Sequence, residues 1–334
     1  MDDKRTSMQE TFDTFPAPVE RVRAYTDRYR RHVEAKGHLL FRLLFFPLLF
    51  LARMLTFDGA YRLGKWVGLF LYRAGLRRSV ALTNLDIAFG DGKSAAEKEK
   101  IYRDSLVNFG RVIVKWLRLP FKGESFWRES VRFTNEDLLR RLMNRKKGVV
   151  LLGGHIGMWD LVGGKIGMSG YPFSIVARRI KNSFLDKWSI DTRCRMNAGS
   201  IRNRKSMDRI KEGLLRGEAV AMALDQSMQL KQGVFIDWMG RPACSVRSAS
   251  YIAKTTGAPV VVAYMLQHGP KEFEAVCREE VTYEPHADPE RELTINTQKQ
   301  SDAVQRIILE RPEQWFWIHK RWKVQPEGVP DPYR

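Results

Sequence analysis

Cysteine is scarce in this 334-residue chain: Cys194, Cys244 and Cys277 are widely spaced and odd in number. That argues against a disulfide framework and for a reducing compartment, and no two of them have metal-ligand spacing. No zinc-finger spacing, Walker loop or RNA-binding signature supports a nucleic-acid partner. No Gly-x-Ser-x-Gly elbow supplies the nucleophile of a serine hydrolase. No uncharged apolar run approaches the roughly 20 residues of a bilayer-spanning helix. The best candidate, enclosed by Arg42 and Arg53, is ten residues long and contains Pro47. No internal repeat and no Pro/Gly/Ser-rich linker divides the chain.

Positive charge, by contrast, is abundant. Lys and Arg number 57 against 38 acidic residues, for a net charge of +19. The basic residues are scattered, which fits a surface facing anionic lipid or an acidic carrier protein better than a nucleic-acid tail. Residues 1–37 read as a polar arm. Residues 38–75 combine the apolar stretch His38–Phe57 with a segment from Tyr61 to Tyr72, in which Trp66, Phe70 and Leu71 alternate with Arg62 and Lys65. Such a mixture suits interfacial helices. A shallow or re-entrant anchor on the cytoplasmic face of a membrane is the expectation, with a tilted single span and a buried helix pair as alternatives. The run starts too late for a normal signal peptide.

Residues 76–334 read as one α/β body. A helix is expected from Ser94 to Leu119, opened by Ser94 and Glu97 in capping-box spacing and stopped by Pro120. Asn135 is placed to cap another. Apolar strands are expected at 149–152, 173–177, 219–224, 260–265 and 273–277, and helices at 183–196, 205–216, 246–256 and 297–310. Alternation of this kind makes the fold class α/β, with a mostly parallel central sheet flanked by helices.

The most informative stretch runs from Gly148 to Asp160. A Val/Leu strand empties through Gly153-Gly154 into His155, and Asp160 follows four intervening residues later. Spacing alone says little, since chance predicts about 0.7 such His-to-acid pairs in this composition. The flanks carry the signal: strand ends that open into glycines expose backbone N–H groups and reactive side chains. Residues five apart on a helix diverge by roughly 140°, so His155 and Asp160 meet only if His155 sits on the turn. The arrangement equips the chain to transfer an acyl group to a hydroxyl. The bland alternative is a buried histidine beside an acid favoured by a helix N-terminus.

Six ordered segments together resemble the bacterial lipid A late acyltransferases, the lauroyl/myristoyl transferase family of lipopolysaccharide biosynthesis, from about the apolar segment to Lys323. They are Asn84-Leu85 with Phe89, Gly153–Asp160, Val176–Asn182, Gly217-Glu218 to Asp225-Gln226, Gly233–Pro242, and Pro312–Lys323. The resemblance implies a glycerolipid-acyltransferase-like fold at the cytoplasmic face of the inner membrane. It also implies transfer of a fatty acyl chain from acyl carrier protein to a hydroxyl of a lipid A precursor. On that reading His155 is the general base and Asp160 orients it. Backbone N–H groups around Gly154 and Gly157 are candidate oxyanion donors, and Arg178 and Asp225 candidate supports of substrate or oxyanion; Asp225, an acid at the end of an apolar strand, could also position His155 or an arginine, or only cap a helix. The acyl-carrier or CoA thioester is a co-substrate; no metal or other cofactor is required. Another acceptor (a glycolipid, aminolipid or phosphoglycolipid) and a non-catalytic anionic-lipid-binding protein are the alternatives. Trp315, Trp317 and Trp322 could form an interfacial belt or pack against the sheet.

Overall fold

The computed structural model describes residues 39–202 and 206–334; the arm over 1–37 and the start of the helix expected at Lys205 lie outside them. Four helices come first: α1 Leu39–Met54, α2 Phe57–Arg73, α3 Arg78–Phe89 and α4 Ala95–Trp116. Then follow α5 Glu124–Glu129, β1 Val131–Thr134, α6 Glu136–Met143, β2 Val149–Gly153, α7 Val162–Met168, β3 Phe173–Ala177, α8 Ser183–Arg195, β4 Ala198–Arg202, α9 Met207–Leu215 and β5 Ala219–Ala223. The chain continues through β6 Gly233–Trp238, β7 Arg241–Val246, α10 Ser248–Thr256, β8 Val260–Gln267, β9 Phe273–Glu280 and α11 Pro289–Glu310.

Seven strands form one sheet in the order β1-β9-β8-β2-β5-β3-β4. Every neighbouring pair is parallel except β8 with β9. The five expected strands are present; β1 and β4, too short and mixed in polarity to be read from sequence, extend the two edges. The antiparallel step arises because β8 and β9 are joined by a short turn, which cannot return the chain to a parallel start. The expected helix at 297–310 begins at Pro289 instead. Asp288 caps it by accepting from the N–H groups of Glu290 and Arg291, and proline at the first turn loses no helical bond.

Both faces of the sheet are covered, which is why the neighbouring strands β2 and β5 carry no polar side chain. Val150, Leu152, Val220 and Val262 pack with Leu106, Leu214, Ile252 and Val304 on one side. Val149, Leu151, Ala219 and Val261 pack with Trp127, Leu139 and Ile166 on the other. Ser94 and Glu97 form the expected capping box at the start of α4. Asn135 precedes α6 in a left-handed conformation but makes no side-chain cap bond. Helix α2 lies on α4 at backbone distance: a Cβ on Gly68 would fall 2.4 Å from Leu106 O, and one on Gly110 2.3 Å from Gly64 O. The small hairpin β6–β7 turns through Met239 and Gly240, both at positive φ, as a two-residue hairpin turn requires.

Helix α1 runs through Pro47 and is sixteen residues long. It buries Phe45, Leu49 and Ala52 against Leu117 and Phe184. Among the described residues, no helix is long and apolar enough to cross a membrane. Trp315, Trp317 and Trp322 are all buried in the core, so they form no interfacial belt.

Candidate active site

Strand order decides which acid meets the histidine. Strands β2 and β5 are parallel neighbours whose last paired residues are Gly153 and Ala223. Two residues further along each chain stand His155 and Asp225, at the carboxyl ends where α/β sheets gather their functional groups. The backbone N–H of His155 donates to Asp225 Oδ2 at 2.7 Å, and the ring Nδ1 lies 2.9 Å from Oδ1. Trp315 Nε1–H donates to Oδ2 at 2.8 Å. The carboxylate is thus held by three donors. It comes this close because residue 154 is glycine: a Cβ there would sit 3.0 Å from Asp225 Oδ2.

These contacts set the charges. Burial alone would raise the Asp225 carboxyl, but the neighbouring imidazole and its hydrogen bonds, with those from Trp315 and the His155 backbone, hold it well below the usual carboxylate range. For His155, burial opposes the charged form. The charge and hydrogen bond of Asp225, helped by the charge of Asp160, outweigh this and raise its pKa above the ordinary histidine value. With Nδ1–H donating to Asp225, the neutral ring presents its lone pair at Nε2. The imidazole remains 24% exposed, and the rings of Trp159 and Phe316 flank it. Gln226 reaches it too, with its amide nitrogen 3.2 Å from Nε2.

Asp160 does not make the hydrogen bond expected of it. Its Oδ1 accepts from Arg193 Nη2 at 2.6 Å and Nε at 3.0 Å, and its Oδ2 from Trp116 Nε1 at 2.9 Å. The intervening turn explains the difference. Gly157 N–H donates to Gln314 O and Met158 N–H to Met265 O, which pins the loop over β8. It then carries Asp160 towards α4 and α8. Gly157 takes φ +56°, and a Cβ there would fall 2.2 Å from Met265 O. Two of the N–H groups expected to face an oxyanion are used up, since His155 N–H is taken by Asp225 and Gly157 N–H by Gln314. Gly154 serves the site through its missing side chain. Arg178 is exposed, one residue beyond β3.

The sequence reading left Trp315 and His319 without a chemical role. His319 Nε2 accepts from Ser227 N–H at 3.1 Å, fixing the segment after Asp225. Burial pushes its pKa down to about 4, so it is neutral near pH 7. Asn84 on α3, fully buried, donates to Trp317 O at 2.6 Å and His319 O at 2.7 Å. The early Asn-Leu segment and the terminal Trp-rich segment are therefore one unit in space. Behind them Arg321, also buried, donates to Cys244 O and Ser245 Oγ of the β6–β7 hairpin. The signal for this layer was the Pro312–Lys323 block, which marks a position without revealing partners. Among the described residues no cluster of His, Cys, Asp and Glu could hold a metal ion.

A histidine base with its Nδ1 locked and its Nε2 accessible can deprotonate a hydroxyl and later return the proton to a leaving group. Comparison with known proteins identifies the family. The family model described as bacterial lipid A biosynthesis acyltransferase matches residues 31–324. The lipid A biosynthesis palmitoleoyltransferase of Escherichia coli K12 is 27% identical over 274 residues, 80% of this chain and 84% of the relative. The lipid A biosynthesis lauroyltransferase of the same organism is 24% identical over 293 residues, 86% of this chain and 92% of the relative. A lipid A biosynthesis acyltransferase of Shigella flexneri is 27% identical over 274 residues, covering 80% and 84%. With most of its length matched, this chain belongs to the bacterial lipid A biosynthesis acyltransferase family and is an acyltransferase.

Proposed function

We propose that the enzyme moves a fatty acyl chain from the thioester of acyl carrier protein to a hydroxyl of a lipid A precursor, at the cytoplasmic face of the inner membrane. The observation that carries this reading is the pairing of His155 with a buried, ionised Asp225, which leaves Nε2 as the accessible base. The acceptor hydroxyl, that of an acyl chain already on the disaccharide, is a very weak acid. Nε2 takes its proton as the oxygen attacks the thioester carbonyl, a contribution of about 10²–10⁴-fold. Asp225 holds the tautomer and stabilises the imidazolium. Collapse of the tetrahedral intermediate breaks the C–S bond, and the departing thiolate receives the proton from Nε2–H. An ester and a free thiol result. The thioester is already activated, so the transfer needs no covalent enzyme intermediate, metal or other cofactor.

The N-terminal helices support membrane association. On α1, Leu43, Phe46, Leu48, Phe50, Leu51 and Met54 are exposed, and on α2 so are Trp66 and Phe70. Arg53, Arg62, Lys65 and Arg73 are exposed on the same two helices. Apolar side chains interleaved with cations suit burial in the headgroup region of an anionic leaflet. Arg178 at the open end of β3 is placed to meet an anionic group of either substrate.

The direct test mixes purified protein with tetra-acylated Kdo-lipid A precursor and acyl carrier proteins bearing different chains, and reads the lipids by mass spectrometry. Acyl-CoA is run in parallel as donor. One added acyl mass, lost in His155→Ala, is the expected result. No added mass from any donor with folded protein would sink the proposed acceptor, and full activity in His155→Ala would sink the assigned base.

A further inference from the structure

At the β1 edge of the sheet lies a cavity of about 840 Å³. Its walls come from the end of α5, strand β1, helix α7 and the turn that joins β8 to β9; neither His155 nor Asp225 lines it. The one buried charge in the lining is Lys165 of α7, 6% exposed. Two of its three N–H groups donate to Trp127 O at 2.8 Å and to Arg128 O at 3.2 Å. Among the described residues it has no carboxylate partner. Burial pushes its pKa down, and the charge of Glu136 offsets only part of this. An ammonium held out of water without a counter-charge is unfavourable until an anion joins it. The acids nearby are engaged elsewhere or lie at the surface. Glu274 accepts from Thr134 Oγ1 at 2.6 Å and from His268 Nε2 at 2.8 Å, and pairs with Arg132 at 2.8 Å. Glu136 accepts from Tyr171 Oη–H at 3.2 Å. Glu129 is exposed, and so is Glu272, which lies back against its own turn at Gly269.

We propose that this cavity is a second binding site, separate from the acyl-transfer centre, which takes a phosphate group on Lys165, His268 and Lys271. Lys165 is the buried anchor, with one N–H to give. With Nε2–H committed to Glu274, His268 keeps Nδ1 as its second hydrogen-bonding atom, and Lys271 is exposed on the same turn. A phosphate suits this set better than a carboxylate, because its oxygens point in several directions and the donors come from separate elements. The place of the site gives it a consequence. The loop that follows His155 runs directly into α7, which carries Lys165. Its Met158 N–H donates to Met265 O of β8, the strand that leads into His268. A phosphate between Lys165 and His268 therefore joins the two elements that hold this loop.

The test titrates the full chain with glycerol 3-phosphate at constant ionic strength and follows the His268 ring by NMR, assigned by comparison with His268→Ala. Dihexanoyl phosphatidic acid, which carries the same phosphate monoester, is titrated in parallel. Similar affinities would assign the phosphate to a small soluble molecule, and much tighter binding of the second probe to a lipid headgroup. A saturable shift of His268 is expected in wild type, weakened at least about tenfold in Lys165→Met and roughly threefold in Lys271→Ala. No saturable shift with either probe, or unchanged affinity in Lys165→Met, would overturn the proposal. Where Lys165→Met fails to fold, the exposed Lys271→Ala decides alone, and unchanged affinity there overturns it. The His155 ring serves as the internal control: a titration that moves His155 and leaves His268 still places the anion in the acyl-transfer centre, and the second site falls.

Discussion

Asp225 and Asp160 are chemically identical, and both act on the charge of His155, yet they are built into their surroundings in opposite ways. Asp225 stands at the end of a central strand, 2% exposed, with its oxygens committed to the histidine and to Trp315. Asp160 stands at the outer edge of the loop that follows His155 and binds Arg193 of α8 and Trp116 of α4. Those partners belong to a different layer: Trp116 and Phe45 of α1 both pack on Trp188 of α8. One carboxylate faces inward and holds the histidine. The other faces outward and ties the loop to the layer that carries α1, with its exposed apolar side chains. A motif that names a histidine and an acid does not say which acid touches the ring.

Substitutions can break this comparison at either end. Asp225→Asn keeps the shape but loses the charge and frees the wrong tautomer, so kcat should fall on the order of 10³–10⁴-fold in the acyl-transfer assay. Asp160→Asn should show its main effect in thermal unfolding. Arg193, only 11% exposed, loses its counter-charge, and leaving a nearly buried cation unpaired costs about 3 kcal/mol. Trp315→Phe removes one of three donors to Asp225 and should cost about tenfold in kcat, ~1.4 kcal/mol, with little change in KM. At the far end of the outer layer, Phe50→Ser on α1 alters a side chain that is 68% exposed. It should leave thermal stability unchanged and weaken sedimentation with anionic vesicles by roughly tenfold or less.

How much of this was legible beforehand follows from what each feature depends on. The five central strands declared themselves because burial on two faces makes a short run continuously apolar, as at 149–152 and 260–265. Ser94 with Glu97 marked the start of α4 through purely local chemistry. His155 was legible from the glycines and the strand around it. The contact with Asp225 was only one of several roles open to an acid at a strand end, because choosing among them depends on β5 inserting between β2 and β3, a fact of strand order that no local pattern encodes. Asp160 looked better because the family resemblance pairs it with His155 in one short block, which says nothing of where its side chain goes. The role of Trp315 was hidden for the same reason: the residue lies 90 positions from its partner. Asn84 appeared only as part of a resemblance until its bonds to Trp317 and His319 gave it a physical purpose.

The central claim is that Asp225, and not Asp160, sets the proton affinity of the base. Titrating His155 by NMR in wild type, Asp225→Asn and Asp160→Asn tests it most directly. In wild type the pKa should lie above the ordinary value of about 6.5, because the charge and hydrogen bond of Asp225 outweigh burial. Without that charge burial prevails, so Asp225→Asn should drop the pKa below that value, while Asp160→Asn lowers it by less. A larger drop in Asp160→Asn than in Asp225→Asn would contradict the account.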